Sequence, residues 1–206
     1  VWTEERRERK VREKCIFGVF FVPVFVRAEK FREYIIKRGG NRMRQKRISD
    51  YGYRIGHHEN GPRNKITDVP GVRVGHATVE SGNQHTGVTV IVPGEGNPFL
   101  KKYLASAYVH NGFGKTCGLV QVQELGTLET PIALTNTLNV GKVADAMISW
   151  MIQQTKKEGE DVFSINPVVG ECNDSRINEI CNRVVGEKEL YQACLLYTSP
   201  SPRDGA

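Results

Sequence analysis

Alternating apolar and polar residues fill the middle of the chain and predict a series of β-strands. The stretch GVRVGHATV, residues 71–79, alternates as a half-buried strand does. TGVTVIVP (86–93) and YLASAYVH (103–110) are β-branched or alternating, and each is stopped by Pro or by Asn-Gly. CGLVQVQEL (117–125) and TPIALTNTL (130–138) continue the series. The pattern therefore predicts five strands between residues 71 and 138.

The period then changes from that of a strand to that of a helix. Residues 140–159, VGKVADAMISWMIQQTKKEG, carry apolar side chains at helical spacing, with Lys156 and Lys157 at the favourable C-terminal end. VFSINPVV (162–169) predicts another strand, and Asp174 is the predicted N-cap of a second helix. Strands gathered around a long helix, without regular βαβ alternation, predict an α+β fold rather than a Rossmann fold.

Composition divides the chain into three zones. Residues 1–42 are rich in charge around one apolar run, and we expect a basic extension that is disordered or non-native. Residues 43–194 have the punctuation of a folded domain. Residues 195–206, LLYTSPSPRDGA, are rich in Ser and Pro and predict a non-native tail. The longest apolar run, residues 15–26, is shorter than the ~20 residues of a spanning helix, so no membrane partner is expected.

The net charge of +6 comes entirely from the start of the chain. Residues 1–47 have a net charge of +9, and residues 48–206 have a net charge of −3. The latter therefore offer no electrostatic footprint for nucleic acid, although residues 1–47 leave open an alternative, a module that binds nucleic acid or an anionic surface. Five cysteines without a C-x-x-C pair predict no zinc site, and they favour a cytoplasmic location.

The candidate chemistry is concentrated in asparagines and in the segment NPVVGECND, residues 166–174. An asparagine amide can donate a hydrogen bond to a developing oxyanion, although turn and capping roles explain any single asparagine equally well. Together, the asparagines at predicted strand ends or turns predict a pocket: Asn111, Asn136, Asn139, Asn166 and Asn173.

The sequence offers two other kinds of candidate site. NGFGKTCG, residues 111–118, is rich in glycine but matches neither nucleotide-binding pattern, so it predicts a turn whose backbone N–H groups could line a pocket. A cysteine hydrolase built on Cys172 and His110 is a further alternative. A catalytic thiolate needs an electropositive setting, whereas Glu171 and Asp174 flank Cys172.

Read in order, four segments resemble the L-aminopeptidase/D-esterase family, self-processing serine peptidases that include D-aminopeptidases and β-aminopeptidases. These segments are KITDVPGVRVGHAT, TGVTVIVP, NGFGKTCGLVQVQELGTLETPIALTNTLNVG and NPVVGECND, and the resemblance runs from near Met43 to about Val185. It implies a four-layer αββα sandwich, related to ornithine acetyltransferases and similar in plan to N-terminal-nucleophile hydrolases, which is incomplete in this chain.

The resemblance also implies a mechanism. The family precursor cuts itself before a serine, whose hydroxyl becomes the nucleophile and whose free α-amino group can act as the base. No cofactor or metal is implied, and the complete protein would be a homo-oligomer that acts on short peptides, amides or esters.

The family nucleophile follows a GGIG-type motif downstream of the last segment, and no such motif occurs here, so we expect no nucleophile in this chain. By match to the family motif, Asn173 is the expected oxyanion donor, and Asn111, Asn136 and Glu129 are secondary pocket candidates. The expectation is therefore an N-terminal fragment of an aminopeptidase, inactive alone, whose partner is the downstream chain of the same precursor.

Overall fold

The computed structural model describes residues 18–19, 46, 48–110 and 112–195. Within them the fold is α+β, as the sequence predicted. The helices are α1 (Leu119–Leu125), α2 (Val140–Lys157) and α3 (Glu187–Leu195). The strands are β1 (Gly18–Val19), β2 (Arg73–Ser81), β3 (Gln84–Val92), β4 (Tyr103–Leu104), β5 (Ser106–Ala107), β6 (Thr127–Leu128), β7 (Ile132–Asn136) and β8 (Val168–Cys172).

A four-stranded sheet in the order β2-β3-β7-β8 forms the centre of the described fold. β2 and β3 form an antiparallel hairpin, and β3 pairs antiparallel with β7. β7 and β8 are parallel, in a register that runs from Ile132 opposite Val168 to Asn136 opposite Cys172. Parallel neighbours need a crossover connection, which α2 supplies. The shorter strands form two ladders, β4 with β6 and β1 with β5.

The main core lies between one face of this sheet and the helices α2 and α3. The sheet contributes alternate residues, among them the fully buried Val90, Ala133 and Val169, as a strand periodicity of two requires. α2 contributes a stripe at intervals of three or four residues that includes Val143, Met147, Trp150 and Met151, and α3 contributes Leu190, Ala193 and Cys194. The predicted amphipathic helix over 140–159 is thus confirmed, as are the strands over 71–79 and 86–93.

The opposite face of the sheet carries a smaller apolar cluster. Ile132 and Val168 pack there with Val122 of α1 and Leu128 of β6, and Ile91 and Leu134 beside them are half-buried. Several large apolar side chains in this part of the molecule are exposed, namely Leu104, Val120 and Leu125. Among the residues that the structure describes, this face is therefore covered less completely than the face under α2 and α3.

The strand predicted over 117–125 is wrong, because this segment forms the short helix α1. Its alternation of Val and Gln is typical of a strand, but two glycines in the left-handed region bracket a single helical segment, Gly118 at φ +81° and Gly126 at φ +66°. Gly118 also lies so close to the next segment that a Cβ would stand 2.2 Å from the Pro167 carbonyl oxygen. Only glycine permits both this conformation and this approach.

The helix predicted to follow Asp174 is also wrong. The backbone N–H groups of Ile177 and Asn178 both bond to the Asp174 carbonyl, and Asn178 Nδ2 donates to Asp174 Oδ1 at 3.2 Å. These bonds close a compact turn, which a short 3-10 turn over Ile180–Asn182 follows. The next α-helix after Asp174 is α3, which begins at Glu187.

Other predicted boundaries shift. The strand predicted over 162–169 lies at Val168–Cys172, and the segment 103–110 forms only the two-residue strands β4 and β5. The predicted extension 1–42, apart from residues 18–19, and residues 196–206 of the predicted tail lie outside the described residues. Their non-native character stays a prediction.

Candidate active site

The C-terminal ends of β7 and β8 bring polar residues together at one edge of the sheet. Asn136 is the last residue of β7, opposite Cys172 at the end of β8, and Thr135 stands opposite Glu171. Asn173 follows β8 directly. Because the strands are parallel and in register, these groups meet at the same edge. We call Asn136, Thr137, Glu171, Cys172 and Asn173 the strand-end site.

Asn173 is exposed and its amide is held in one orientation. Its Oδ1 accepts the backbone N–H of Ser175 at 3.0 Å, the side-chain-to-backbone turn that asparagine favours. The amide nitrogen Nδ2 donates to none of the described residues. This arrangement leaves a neutral N–H donor at the strand-end site, oriented by a bond to its own oxygen.

Asn136, by contrast, is 3% exposed, and its amide is used inside the protein. Its Nδ2 donates to Thr86 Oγ1 at 2.8 Å, and its Oδ1 accepts the backbone N–H of Asn139 at 3.1 Å. Asn136 is therefore the cap of the turn that leads into α2, a role that suits asparagine. Its assignment to the substrate pocket stays a prediction.

Glu171 joins the strand-end site to two other segments. Its Oε1 accepts the backbone N–H of Lys115 at 3.2 Å, and its Oε2 accepts the hydroxyl of Thr137. The loop 112–116 therefore lies against the end of β8. Lys115 Nζ stands 3.5 Å from the centroid of the exposed Phe113 ring and donates to the Phe113 carbonyl at 2.7 Å.

Glu129 lies at the opposite edge of the sheet. It is 5% exposed, its Oε1 accepts the backbone N–H of Asn166 at 2.7 Å, and its Oε2 lies 3.5 Å from Lys102 Nζ. It precedes β7, whose four residue steps from Ile132 to Asn136 span about 13 Å at 3.3 Å per residue. The structure therefore does not bring Glu129 to the strand-end site, and Asn111 lies outside the described residues.

The geometry does not support a thiol nucleophile. Cys172 and His110 are both exposed, and neither hydrogen-bonds to the other. Burial raises the pKa of the half-buried Cys117 thiol, which donates to the Pro167 carbonyl at 3.6 Å, and raises the pKa of Cys194 to about 12. The basic segment 1–47 of the nucleic-acid alternative falls almost wholly outside the described residues.

The described residues form neither a metal-binding cluster nor a membrane-spanning helix. No three His, Cys, Asp or Glu side chains in the described ranges are grouped to hold a metal ion. None of the helices within those ranges has both the length and the apolar character to cross a membrane.

Sequence reasoning did not identify Glu171 and Thr137 as a pair. From the sequence, Glu171 was weighed as a neighbour of Cys172 and as a carboxylate that could pair with Asp174, and no contact with Thr137 was predicted. The one available signal was a glutamate at the end of an otherwise apolar strand, VVGEC, because such a charge needs a partner when it is half-buried.

Comparison with known proteins shows what this fold and this site are similar to. Peptidase family S58 matches residues 64–204. The beta-peptidyl aminopeptidase BapA of Sphingosinicella xenopeptidilytica is 42% identical over 143 residues, which cover 65% of this chain and 35% of BapA.

Solved structures agree with the sequence match. A beta-aminopeptidase from Burkholderia sp. superposes with a TM-score of 0.66 and 39% identity, over 76% of this chain and 44% of that one. The L-aminopeptidase D-Ala-esterase/amidase of Ochrobactrum anthropi, a prototype for the serine aminopeptidases and a variant of the Ntn hydrolase fold, gives a TM-score of 0.66 and 27% identity, over 75% and 45%. The chain thus spans about a third of the curated relative and less than half of each structure. It belongs to peptidase family S58, the L-aminopeptidase family that its motifs resemble.

Proposed function

We propose that this chain is the N-terminal portion of an aminopeptidase-type hydrolase that releases N-terminal amino acids from short peptides, amides or esters. Membership of peptidase family S58 supports the activity, and the limited coverage of the relatives supports the partial character. The nucleophilic serine and the remaining layers of an αββα sandwich then belong to the downstream chain of the same precursor. The exposed apolar side chains beside the less covered sheet face favour such a second layer.

In this proposal the serine Oγ attacks the carbonyl carbon of the scissile bond, and the free α-amino group of that serine takes the hydroxyl proton. The carbonyl oxygen becomes an oxyanion, the bond to the leaving amine breaks as the amine receives the proton, and an acyl ester remains. Water then attacks the ester and restores the serine hydroxyl. Asn173 Nδ2 donates a hydrogen bond to the oxyanion.

The observation that carries the proposal is the state of the Asn173 amide. The Ser175 N–H donates to its oxygen at 3.0 Å, which restricts rotation of the amide that carries the proposed donor. A preorganised donor of this kind stabilises the transition state more than the ground state.

The test uses the complete precursor, in which the native sequence continues directly after residue 194, with kcat and KM measured on aminoacyl-p-nitroanilides. Asn173→Ala is expected to lower kcat about 10²- to 10³-fold, the typical effect of removing one oxyanion donor. Asn182→Ala is the matched control, because Asn182 is also exposed and its side chain makes no hydrogen bond with the described residues. An Asn173→Ala enzyme with unchanged kcat would refute the assignment.

Two further variants separate the chemistry from its alternatives. Replacing the serine at the self-cleavage point with alanine is expected to abolish both processing and hydrolysis. Cys172→Ser is expected to keep activity, and iodoacetamide is expected to have no effect. Loss of activity in Cys172→Ser, with processing intact, would favour a cysteine hydrolase instead. The chain of 206 residues alone is expected to hydrolyse none of these substrates.

A further inference from the structure

The contacts of Glu171 tie together three segments that are far apart in the sequence. Its carboxylate accepts the Lys115 backbone N–H at 3.2 Å on one oxygen and the Thr137 hydroxyl on the other. Lys115 lies in the glycine-rich loop 112–116, and Thr137 begins the 3-10 turn that leads into α2. Glu171 itself lies in β8, one residue before its end.

We propose that Glu171 is a positioning residue for the hydrolytic reaction: it holds the loop 112–116 and the start of α2 in a fixed place beside Asn173. The inference rests on the proposed function, because it concerns the same site. Glu171 is not itself expected to touch the substrate.

The loop lies close enough to Asn173 for this role. Glu171 and Asn173 are two residues apart, at most about 7 Å between their Cα atoms. The loop meets Glu171 at hydrogen-bond distance, so it lies next to the segment that carries Asn173. It presents the exposed ring of Phe113 with Lys115 Nζ over it, a pair that can contact the acyl or leaving group of a bound substrate.

The loop needs an external anchor because its own backbone is permissive. Gly112 and Gly114 flank Phe113, and glycine loses more conformational freedom on ordering than any other residue. A hydrogen bond to a carboxylate is among the stronger ones available to a backbone N–H. Glu171 thus restricts the loop at Lys115, directly after the second glycine.

Because Glu171 accepts from two donors, the variant Glu171→Gln, which has an amide in place of the carboxylate, tests how it acts. In Glu171→Gln the side-chain oxygen can still accept from the Lys115 N–H, and the new NH₂ group can donate to the Thr137 hydroxyl, which can accept as well as donate. Glu171→Ala removes both contacts. Glutamine should therefore rescue the function that alanine removes, because the role depends on geometry and not on charge.

The experiment measures kcat and KM of the full-length, processed enzyme on aminoacyl-p-nitroanilides. For Glu171→Ala we expect kcat to fall about 10- to 100-fold with KM changed less than about threefold, because misplacement of groups around the transition state acts mainly on kcat. Glu171→Gln should retain most of the wild-type kcat. Glu124→Ala is the matched control, since Glu124 is exposed on α1 and makes no hydrogen bond or ion pair with the described residues.

Amide hydrogen exchange at Lys115 gives a second readout that does not depend on catalysis. Its N–H should be protected in the wild type and in Glu171→Gln, and should lose protection in Glu171→Ala. If Glu171→Ala does not fold, Thr137→Val removes one of the two donors with its shape retained, and it should lower kcat by a smaller factor.

The outcomes are distinguishable. An active enzyme in which Glu171→Ala keeps the wild-type kcat overturns the positioning role, and so does a Glu171→Gln variant as impaired as the alanine variant. If the wild-type enzyme has no aminopeptidase activity, the proposed function fails, but the exchange measurement still decides whether Glu171 holds the loop. Unchanged protection of Lys115 in Glu171→Ala then overturns the inference.

Discussion

Replacing Asn136 with alanine should separate the structural role of this asparagine from the catalytic role proposed for Asn173. The variant removes the cap on the turn that precedes α2, because the backbone N–H of the fully buried Asn139 loses its acceptor. It also removes the hydrogen bond to Thr86 Oγ1. Both bonds tie the end of β7 to its surroundings, so their loss should lower stability.

The magnitude follows from the two bonds. Loss of an asparagine cap costs about 1 kcal/mol, and a neutral side-chain hydrogen bond contributes about 1 kcal/mol, so we expect the free energy of unfolding to fall by about 2 kcal/mol. For a urea dependence of about 2 kcal/mol per M, the midpoint would fall by about 1 M. The same variant should keep kcat within about twofold, because loss of an oxyanion donor costs far more, about 10²-fold or greater.

Urea titration of the full-length enzyme, followed by tryptophan fluorescence to which Trp150 contributes, measures this change. Trp150 is 8% exposed and meets Tyr191 of α3 edge-on at 5.1 Å between ring centroids, so its emission reports how α2 packs on α3. Asn182→Ala serves as the control for both stability and kcat. A large fall in kcat with the urea midpoint unchanged would refute this reasoning and would return Asn136 to the substrate pocket that the sequence predicted.

Three further outcomes are expected. Glu129→Ala should lower the free energy of unfolding by about 1–3 kcal/mol, since the Asn166 N–H loses a buried acceptor. Glu129→Gln keeps an acceptor and should retain most of the wild-type stability, so equal stability of the two variants in urea would contradict this reasoning. Met147→Ala should cost about 2–5 kcal/mol by opening a cavity between α2 and the sheet, and a change below 1 kcal/mol in the same titration would show that the core collapses around it. Burial raises the pKa of Cys194 from 9.0 to about 12, so between these pH values the folded state keeps a proton that the unfolded chain releases. The contribution of Cys194 to the free energy of unfolding is therefore fully present below pH 9 and is lost as the pH rises towards 12. In a Cys194→Ala variant the free energy of unfolding should fall less steeply over the same pH range.

The sequence predicted those elements whose pattern matches their burial. α2 carries apolar residues at helical spacing because one side of it faces the sheet, and β2 and β3 alternate because only one of their faces is fully covered. α1 was missed because the alternation of LVQVQEL is that of a strand. The requirement for glycine at its first end comes from the close approach of Gly118 to Pro167, 49 residues later in the chain. Local pattern carries no information about such a contact.

The candidate site, like the fold, could be predicted from the sequence only in part. The polar cluster at the end of β8 stands out in the sequence, and the parallel pairing with β7 brings Asn136 beside it. The separation of Glu129 from this cluster follows only from the direction of β7, because a residue before a strand and a residue at its end lie at opposite edges. Likewise, the bonds of Glu171 to Thr137 and Lys115 span 34 and 56 residues of sequence, and they require the topology to be known.

The parallel pairing of β7 with β8 also has a kinetic consequence. The β2–β3 hairpin can form from neighbouring residues, whereas β8 reaches its place only after the whole of α2 has crossed the sheet. Asn173 follows β8, so an incompletely folded chain has no preorganised amide to offer. Under the proposed function, the oxyanion donor Asn173 is in place only after this long-range pairing has formed, and a chain that is still folding would lack it.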